Sequence, residues 1–376
     1  MLSGMNVIRD LVGVDFPLFA FSHCRDVVAA VSRAGGFGVL GGSTFTPESL
    51  EAELRWIDDH VDGKPYGVDI LVPEHQFDTG GLTIAQLAEQ LPAEHREFLA
   101  QLLKEYDVDL RFDDGHSDVP PATSPEVGQQ LMDVAFKHPI RLIANALGIA
   151  PEWMIERGKS EGVAVAALVG AREHALRQVA AGVDLIVAQG TEAGGHCGEV
   201  STLVVVPEVV RAVREVRDVP VLAAGGIMTG EQMAGCMAMG AAGAWTGSVW
   251  LATPESEVSE TFRKKMVAAS SRDTIRSKAR TGKPSRQLRS SWHEAWEGTD
   301  SPGSLPLPLM SILSTPAFSS IDRAADGGNA KAQELVSYWV GQGVGLVESV
   351  RTCAQVVQDF MQEYAEAVER LPTLVG

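Results

Sequence analysis

One histidine of this 376-residue sequence stands among glycines on both sides, in Gly194-Gly195-His196-Cys197-Gly198, preceded by Gln189-Gly190-Thr191-Glu192-Ala193. A chain so poor in side chains can lay its backbone against a flat ligand while presenting a single imidazole. The ordinary pKa of that group, close to neutrality, suits proton transfer. The plainer alternative is a loop histidine satisfying a local hydrogen bond. Cys197 could serve as a nucleophile, but no second histidine or acid is paired with it in the sequence. Two more glycine-bearing runs, Ala224-Gly225-Gly226-Ile227 and Trp245-Thr246-Gly247-Ser248, have the composition of a phosphate cradle. Without Cβ atoms, backbone N–H groups approach an anion closely, and a following helix dipole favours its charge. Glycines that only make turns are the alternative, and flavin, nucleotide and sugar phosphates would look alike.

All three runs follow short apolar segments, so their placement depends on what those segments form. Eight such segments read as strands: residues 16–21, 37–40, 66–72, 141–146, 163–168, 184–188, 219–223 and 243–247. Helical stretches separate them, at about 25–34, from Thr46-Pro47-Glu48 onward, and at 151–158, 171–181, 207–217 and 230–239. Thr46 can cap and Pro47 fits a first turn. Eight strands rich in Val, Ala and Ile with intervening helices predict an α/β fold, a closed (β/α)8 TIM barrel. In such a barrel the active site lies at the C-terminal strand ends, and phosphate sites favour the loops after strands seven and eight. The three glycine runs fall there, after strands six, seven and eight.

The barrel is assigned to residues 1–72 and 140–254. An insertion of 73–139 follows strand three, with a helix that puts Phe98, Leu99, Leu102, Leu103 and Tyr106 on one face and a polar loop at 113–124. Residues 255–376 form a mainly helical extension. Its last helix carries Val350, Ala354, Val357, Met361, Tyr364, Val368 and Leu371 at spacings of four and three, a packing face for the barrel or for a second copy in a homodimer. The net charge of −18 argues against nucleic acid and anionic membranes as partners. No apolar run is long enough to span a bilayer, and residues 1–10 lack a signal-peptide pattern, which predicts a cytoplasmic protein. The four cysteines form no CxxC pair, and no metal site is expected.

These runs, together with Ala29-Ala30-Val31-Ser32-Arg33-Ala34-Gly35-Gly36-Phe37-Gly38, Thr281-Gly282-Lys283-Pro284-Ser285-Arg286 and Gly341-Gln342-Gly343-Val344-Gly345, resemble the nitronate monooxygenase family, formerly the 2-nitropropane dioxygenases. The resemblance covers most of the chain apart from residues 74–139 and implies FMN across the barrel mouth. It implies that Gln189 reaches the isoalloxazine ring and that Gly194 and Gly195 pack close to it. It implies a phosphate held by Gly225, Gly226, Gly247 and Ser248 with Trp245 and Thr246 adjoining, and Ala20, Phe21 and Ser22 passing the ring edge. His196 would be the base or donor facing the substrate. Asp69 stands where the family usually has Asn, and Phe21 and His23 stand where it has small residues and Met.

Two reactions share that scaffold. A nitronate reduces FMN and O2 completes cleavage to a carbonyl and nitrite; or NAD(P)H reduces the flavin, which reduces an enoyl thioester of CoA or acyl carrier protein, or a quinone. Ten basic residues against one acid between Arg263 and Arg289 would suit a phosphorylated partner, or else a solvated helix face. A non-flavin isomerase or lyase would want a Lys or carboxylate at the strand ends, where Asp69 and Glu192 are the candidates.

Overall fold

The computed structural model describes residues 2–72, 82–111 and 125–373. The loop expected at 113–124 lies outside them. Eight parallel strands close a barrel in the order β1 (Leu18–Ser22), β2 (Phe37–Gly41), β3 (Tyr66–Ile70), β4 (Leu142–Asn145), β5 (Ala164–Val169), β6 (Leu185–Gln189), β8 (Val221–Ala224) and β9 (Gly243–Thr246). Each expected strand is present within a few residues. The pattern was readable because both faces of every strand are buried, so each is a continuous apolar run. Side chains still alternate. Phe19, Phe37, Val39, Leu142, Leu185, Val187, Leu222 and Trp245 fill the barrel interior, while Leu18, Leu40, Val68, Ile143 and Ile186 meet the helices. Helix α1 (Leu2–Val12) adds Ile8 and Val12 to the interior.

The outer helices α2 (Arg25–Arg33) and α3 (Pro47–His60) follow β1 and β2. Thr46 caps α3 in a capping box with Ser49, and Pro47 opens it, as the local sequence predicts. Helices α4 (Ile84–Glu89) and α5 (Ala93–Glu105) belong to the insertion, and Leu99, Leu102 and Leu103 of α5 are buried. α6 (Pro125–Ala135), although inside the same segment, packs on α3 and β3 where a barrel's own crossover helix belongs. α7 (Glu152–Glu161), α8 (Arg172–Ala181), α9 (Thr202–Arg214) and α10 (Gly230–Ala238) continue the ring. α9 begins five residues before the expected 207, because Glu192 caps its first turn, accepting from Thr202 N at 2.9 Å.

After β9 come α11 (Glu260–Ala268), α12 (Ser291–Trp296), α13 (Leu309–Asp326) and α14 (Ala330–Leu335). α15 (Cys353–Thr373) then returns to lie between α10 and α2, the position of the barrel's eighth helix. Its face is therefore covered within the chain. The buried residues are Cys353, Val356, Val357, Phe360 and Ala367, with Met361 and Tyr364 packed at the edge. Val350 and Ala354 are exposed, which corrects the expected stripe at its start. The contact is close: a Cβ on Gly230 would lie 2.1 Å from the Phe360 carbonyl oxygen.

The extension is not only helical. β10 (Thr274–Ser277) and β11 (Ser285–Leu288) form an antiparallel pair, and β11 also pairs with β7 (Gly195–His196) from the loop after β6. This three-stranded sheet joins the extension to the barrel mouth. Among the described residues, no helix is long and apolar enough to cross a membrane.

Candidate active site

His196 lies in β7 opposite Ser285 of β11, so its backbone position is fixed from across the sheet. Its Nε2 is 2.9 Å from Thr281 Oγ1. The Thr281 hydroxyl lies 3.1 Å from the Lys283 carbonyl oxygen, which can only accept. When the hydroxyl donates to Lys283, Thr281 receives Nε2–H, and this arrangement leaves Nδ1 of the neutral imidazole as the bare acceptor. The ring is open to solvent on one side yet packed by protein on the others. Burial first, and then the Lys283 charge, lower its pKa below the ordinary 6.5. His196 is thus a neutral base at pH 7.

The loop that carries it is pinned along its length. Arg286 Nε donates to the Thr191 carbonyl at 2.9 Å, and Arg276 reaches the Cys197 carbonyl and the Glu199 carboxylate. Gly194 packs against Val340 and Gly341, where a Cβ would come within 3.0 Å of backbone. Gly190 and Gly225 clasp Thr202, leaving no room for side chains, since their Cβ atoms would fall 2.1 and 2.7 Å from its Oγ1. Cys197 is raised in pKa by burial and directs its thiol to the Thr191 carbonyl, so it is held as a thiol. Glu192, accepting from Thr202 N and Oγ1, is a helix cap.

At the neighbouring strand ends, Gly225 and Gly226 adopt φ of +107° and +73°, the left-handed region that favours glycine. The N–H groups of Gly226, Gly247 and Ser248 donate to no group among the described residues. A Cβ on Gly247 would enter open space. Unpartnered backbone donors at the ends of the neighbouring strands β8 and β9 suit an anion, because backbone N–H groups normally have partners. Ser248 Oγ accepts from Gly341 N at 2.8 Å, which ties the cradle to the extension.

The barrel mouth itself is aromatic and apolar, with one carboxyl. Phe21 and Phe19 stack near Trp245 at 25° and 13° between planes. Asp69 is 2% exposed, and its Oδ2 has no partner. Burial raises its pKa well above 3.8. Burial thus favours the un-ionised carboxyl, a form that can donate as an Asn does. Two other expected contacts turn elsewhere: Ala20 faces the outer helices, and Thr246 Oγ1 is tied to the Phe19 carbonyl and Trp250 Nε1. Only their backbones border the mouth. Ser22 Oγ accepts from Cys24 N in the turn after β1.

The basic segment does not assemble into one rim. Arg263, Lys265, Arg276, Arg280 and Arg286 donate to backbone carbonyls, and Lys264 pairs with Glu260. Arg280 is buried, 3.9 Å from the Phe318 ring centroid. A cavity of about 260 Å3 between α11 and α13 is lined by Glu257, Asp322 and Asp326. The sequence offered no sign of Thr281 as the partner of His196, since 85 positions separate them and only the polar β11 brings them together.

The nitronate monooxygenase family model matches residues 10–363. The Mycobacterium tuberculosis protein named "Putative monooxygenase Rv1533" is 50% identical over 98% of each chain. Among solved structures, the nitroalkane oxidase of Streptomyces ansochromogenes is similar at a TM-score of 0.77 and 26% identity, covering 97% of this chain and 99% of that one. FabK of Thermotoga maritima is similar at 0.72 and 26%, covering 98% of each. The closed eight-stranded barrel and a family match over residues 10–363 make one conclusion: the chain belongs to the nitronate monooxygenase family of flavin-dependent oxidoreductases.

Proposed function

We propose that the chain uses FMN to oxidise small alkyl nitronates with O2, cleaving the carbon–nitrogen bond to a carbonyl compound and nitrite. The observation that supports it most is the imidazole of His196, held by Thr281 beside Lys283 on β7 in the loop after β6. The Gly226, Gly247 and Ser248 N–H groups would hold the phosphate, and Phe21, Trp245, Gln189 and Asp69 would border the ring, with Gly194 and Gly195 close by. Bound FMN supplies the redox chemistry, accepting electrons from the substrate and passing them to O2. The chain's own part is proton handling and charge. Nδ1 of His196 takes the α-proton of a neutral nitroalkane, and the imidazolium so formed, with Lys283, steadies the nitronate.

A thioester- or quinone-reducing enzyme is the competing chemistry. It drew its support from the basic segment, most of which is tied up within the fold. A non-flavin barrel would need Glu192 or Asp69 as its acid or base, and Glu192 is a cap. Purified protein should carry a visible flavin band or bind FMN on titration. Anaerobic mixing with propionate 3-nitronate, and separately with NADPH, then divides the two reactions. Bleaching by the pyridine nucleotide and not by the nitronate refutes the oxygenase.

A further inference from the structure

β2 ends in a glycine for a reason that lies in β1. Gly41 has the interior-facing parity of Phe37 and Val39. A Cβ there would fall 2.6 Å from His23 Nδ1 and 2.9 Å from Phe21 Cζ. The His23 ring therefore folds over Gly41 into the barrel mouth, edge-on to Phe21 at 5.1 Å between centroids. His23 Nδ1 is 3.0 Å from the Gly41 carbonyl oxygen. A carbonyl only accepts, so Nδ1 carries the proton and Nε2 keeps its lone pair. Nε2 has no hydrogen bond to any described residue.

On the other side of the same glycine, Asp69 of β3 stands in register with Gly41. Its carboxyl shares the interior parity of Gly67, whose Cβ would point at Phe37 and Leu142. It makes no hydrogen bond or ion pair within the described chain, and Oδ2 is buried without a partner. An un-ionised carboxyl in that setting offers an O–H donor. A bare acceptor and an unsatisfied donor thus flank one side-chain-free position, beside Phe21 and the Trp245 ring stacked near it. Buried polar groups are left open in this way where a ligand completes them.

We propose that His23 and Asp69 form a matched acceptor–donor pair that reads an imide edge, a ring N–H beside a C=O, and that this edge belongs to the flavin. The inference rests on the FMN reading above. The imide N–H donates to His23 Nε2, and the neighbouring carbonyl accepts from the Asp69 carboxyl. An ionised Asp69 would face that carbonyl with like charge, whereas Asn in its place keeps a donor.

Titration of the flavin-free protein with FMN, followed by quenching of flavin fluorescence, tests the pair without reference to turnover. Asp69→Asn should retain affinity within about threefold, while Asp69→Leu and His23→Phe should each weaken it about tenfold or more. FMN methylated at the imide nitrogen should bind the unaltered protein about tenfold more weakly, with no further loss in His23→Phe. That probe needs no variant, so a folding defect cannot mimic it. Equal binding of FMN and its methylated form by the unaltered protein overturns the proposal, as does full affinity in His23→Phe and Asp69→Leu. If the unaltered protein binds no FMN, the flavin reading itself falls, and this inference with it.

Discussion

The residue proposed to handle the proton is His196, and its environment gives its pH behaviour a sign. Burial and then Lys283 both disfavour the imidazolium, so the base form persists to below pH 6.5. As a base it fails when protonated, so kcat/KM for a neutral nitroalkane should fall on acidification through that lowered pKa. Lys283→Met removes the second cause and should move the acid limb upward, toward the ordinary value; a limb that stays put would deny Lys283 its influence. His196→Asn should slow the substrate half-reaction by roughly 10²–10⁴ while leaving FMN bound. Stopped-flow reduction at unchanged rate would remove His196 from the mechanism. The sequence pointed to this imidazole because its glycine neighbours are local. It was silent on which nitrogen acts, because Thr281 is a partner supplied by another element. His23 stood out as unusual, but its role was hidden, since it is anchored by a backbone carbonyl that leaves no residue type to read.

Among elements, α15 has the largest consequence. By standing in as the eighth barrel helix it must approach α10 backbone to backbone at Gly230, whose N–H also donates to Glu363 at 2.7 Å. Neither the Phe360 carbonyl nor the Tyr364 N–H, 2.1 and 2.5 Å from a Cβ at Gly230, can swing aside as a side chain would. Gly230→Ala should therefore destabilise by about 1–3 kcal/mol in urea unfolding. Gly235, exposed in the same helix with open space beside it, makes the contrast. Gly235→Ala should stabilise by about 0.5–1 kcal/mol through helix propensity alone. If both variants shift in the same direction, close packing is not what sets Gly230 apart. The eight strands could be read from sequence because burial on both faces writes an apolar run. β10 and β11 could not. Thr274-Ile275-Arg276-Ser277 and Ser285-Arg286-Gln287-Leu288 are polar strands, and pairing with each other and with His196 defines them, not a hydrophobic face.

At the scale of the molecule, the division into barrel and extension fits the order of the chain better than its energetics. The barrel borrows its eighth helix from the extension. β7, which carries His196, has its partner strand there, and Ser248, just after β9, accepts from Gly341 N. The apolar cluster that surrounds the barrel runs without a break from Val27 and Val28 through Met233 to Val356 and Phe360. Domains that exchange core elements this way have no boundary across which few contacts pass. The described residues of barrel and extension should therefore unfold as one cooperative unit. Calorimetry should give a single transition with calorimetric and van't Hoff enthalpies in agreement. FMN at a hundredfold excess over its Kd should raise the stability of that whole transition by about 2.7 kcal/mol, because a ligand held at the mouth is linked to everything that shapes the mouth. Removing residues 353–376 should not yield a barrel lacking its tail. It would uncover the apolar faces of α10 and α2 together, so the truncated chain should lose cooperative unfolding and bind no flavin. Two resolved transitions in the full chain, with FMN shifting only one, would restore the two-domain division.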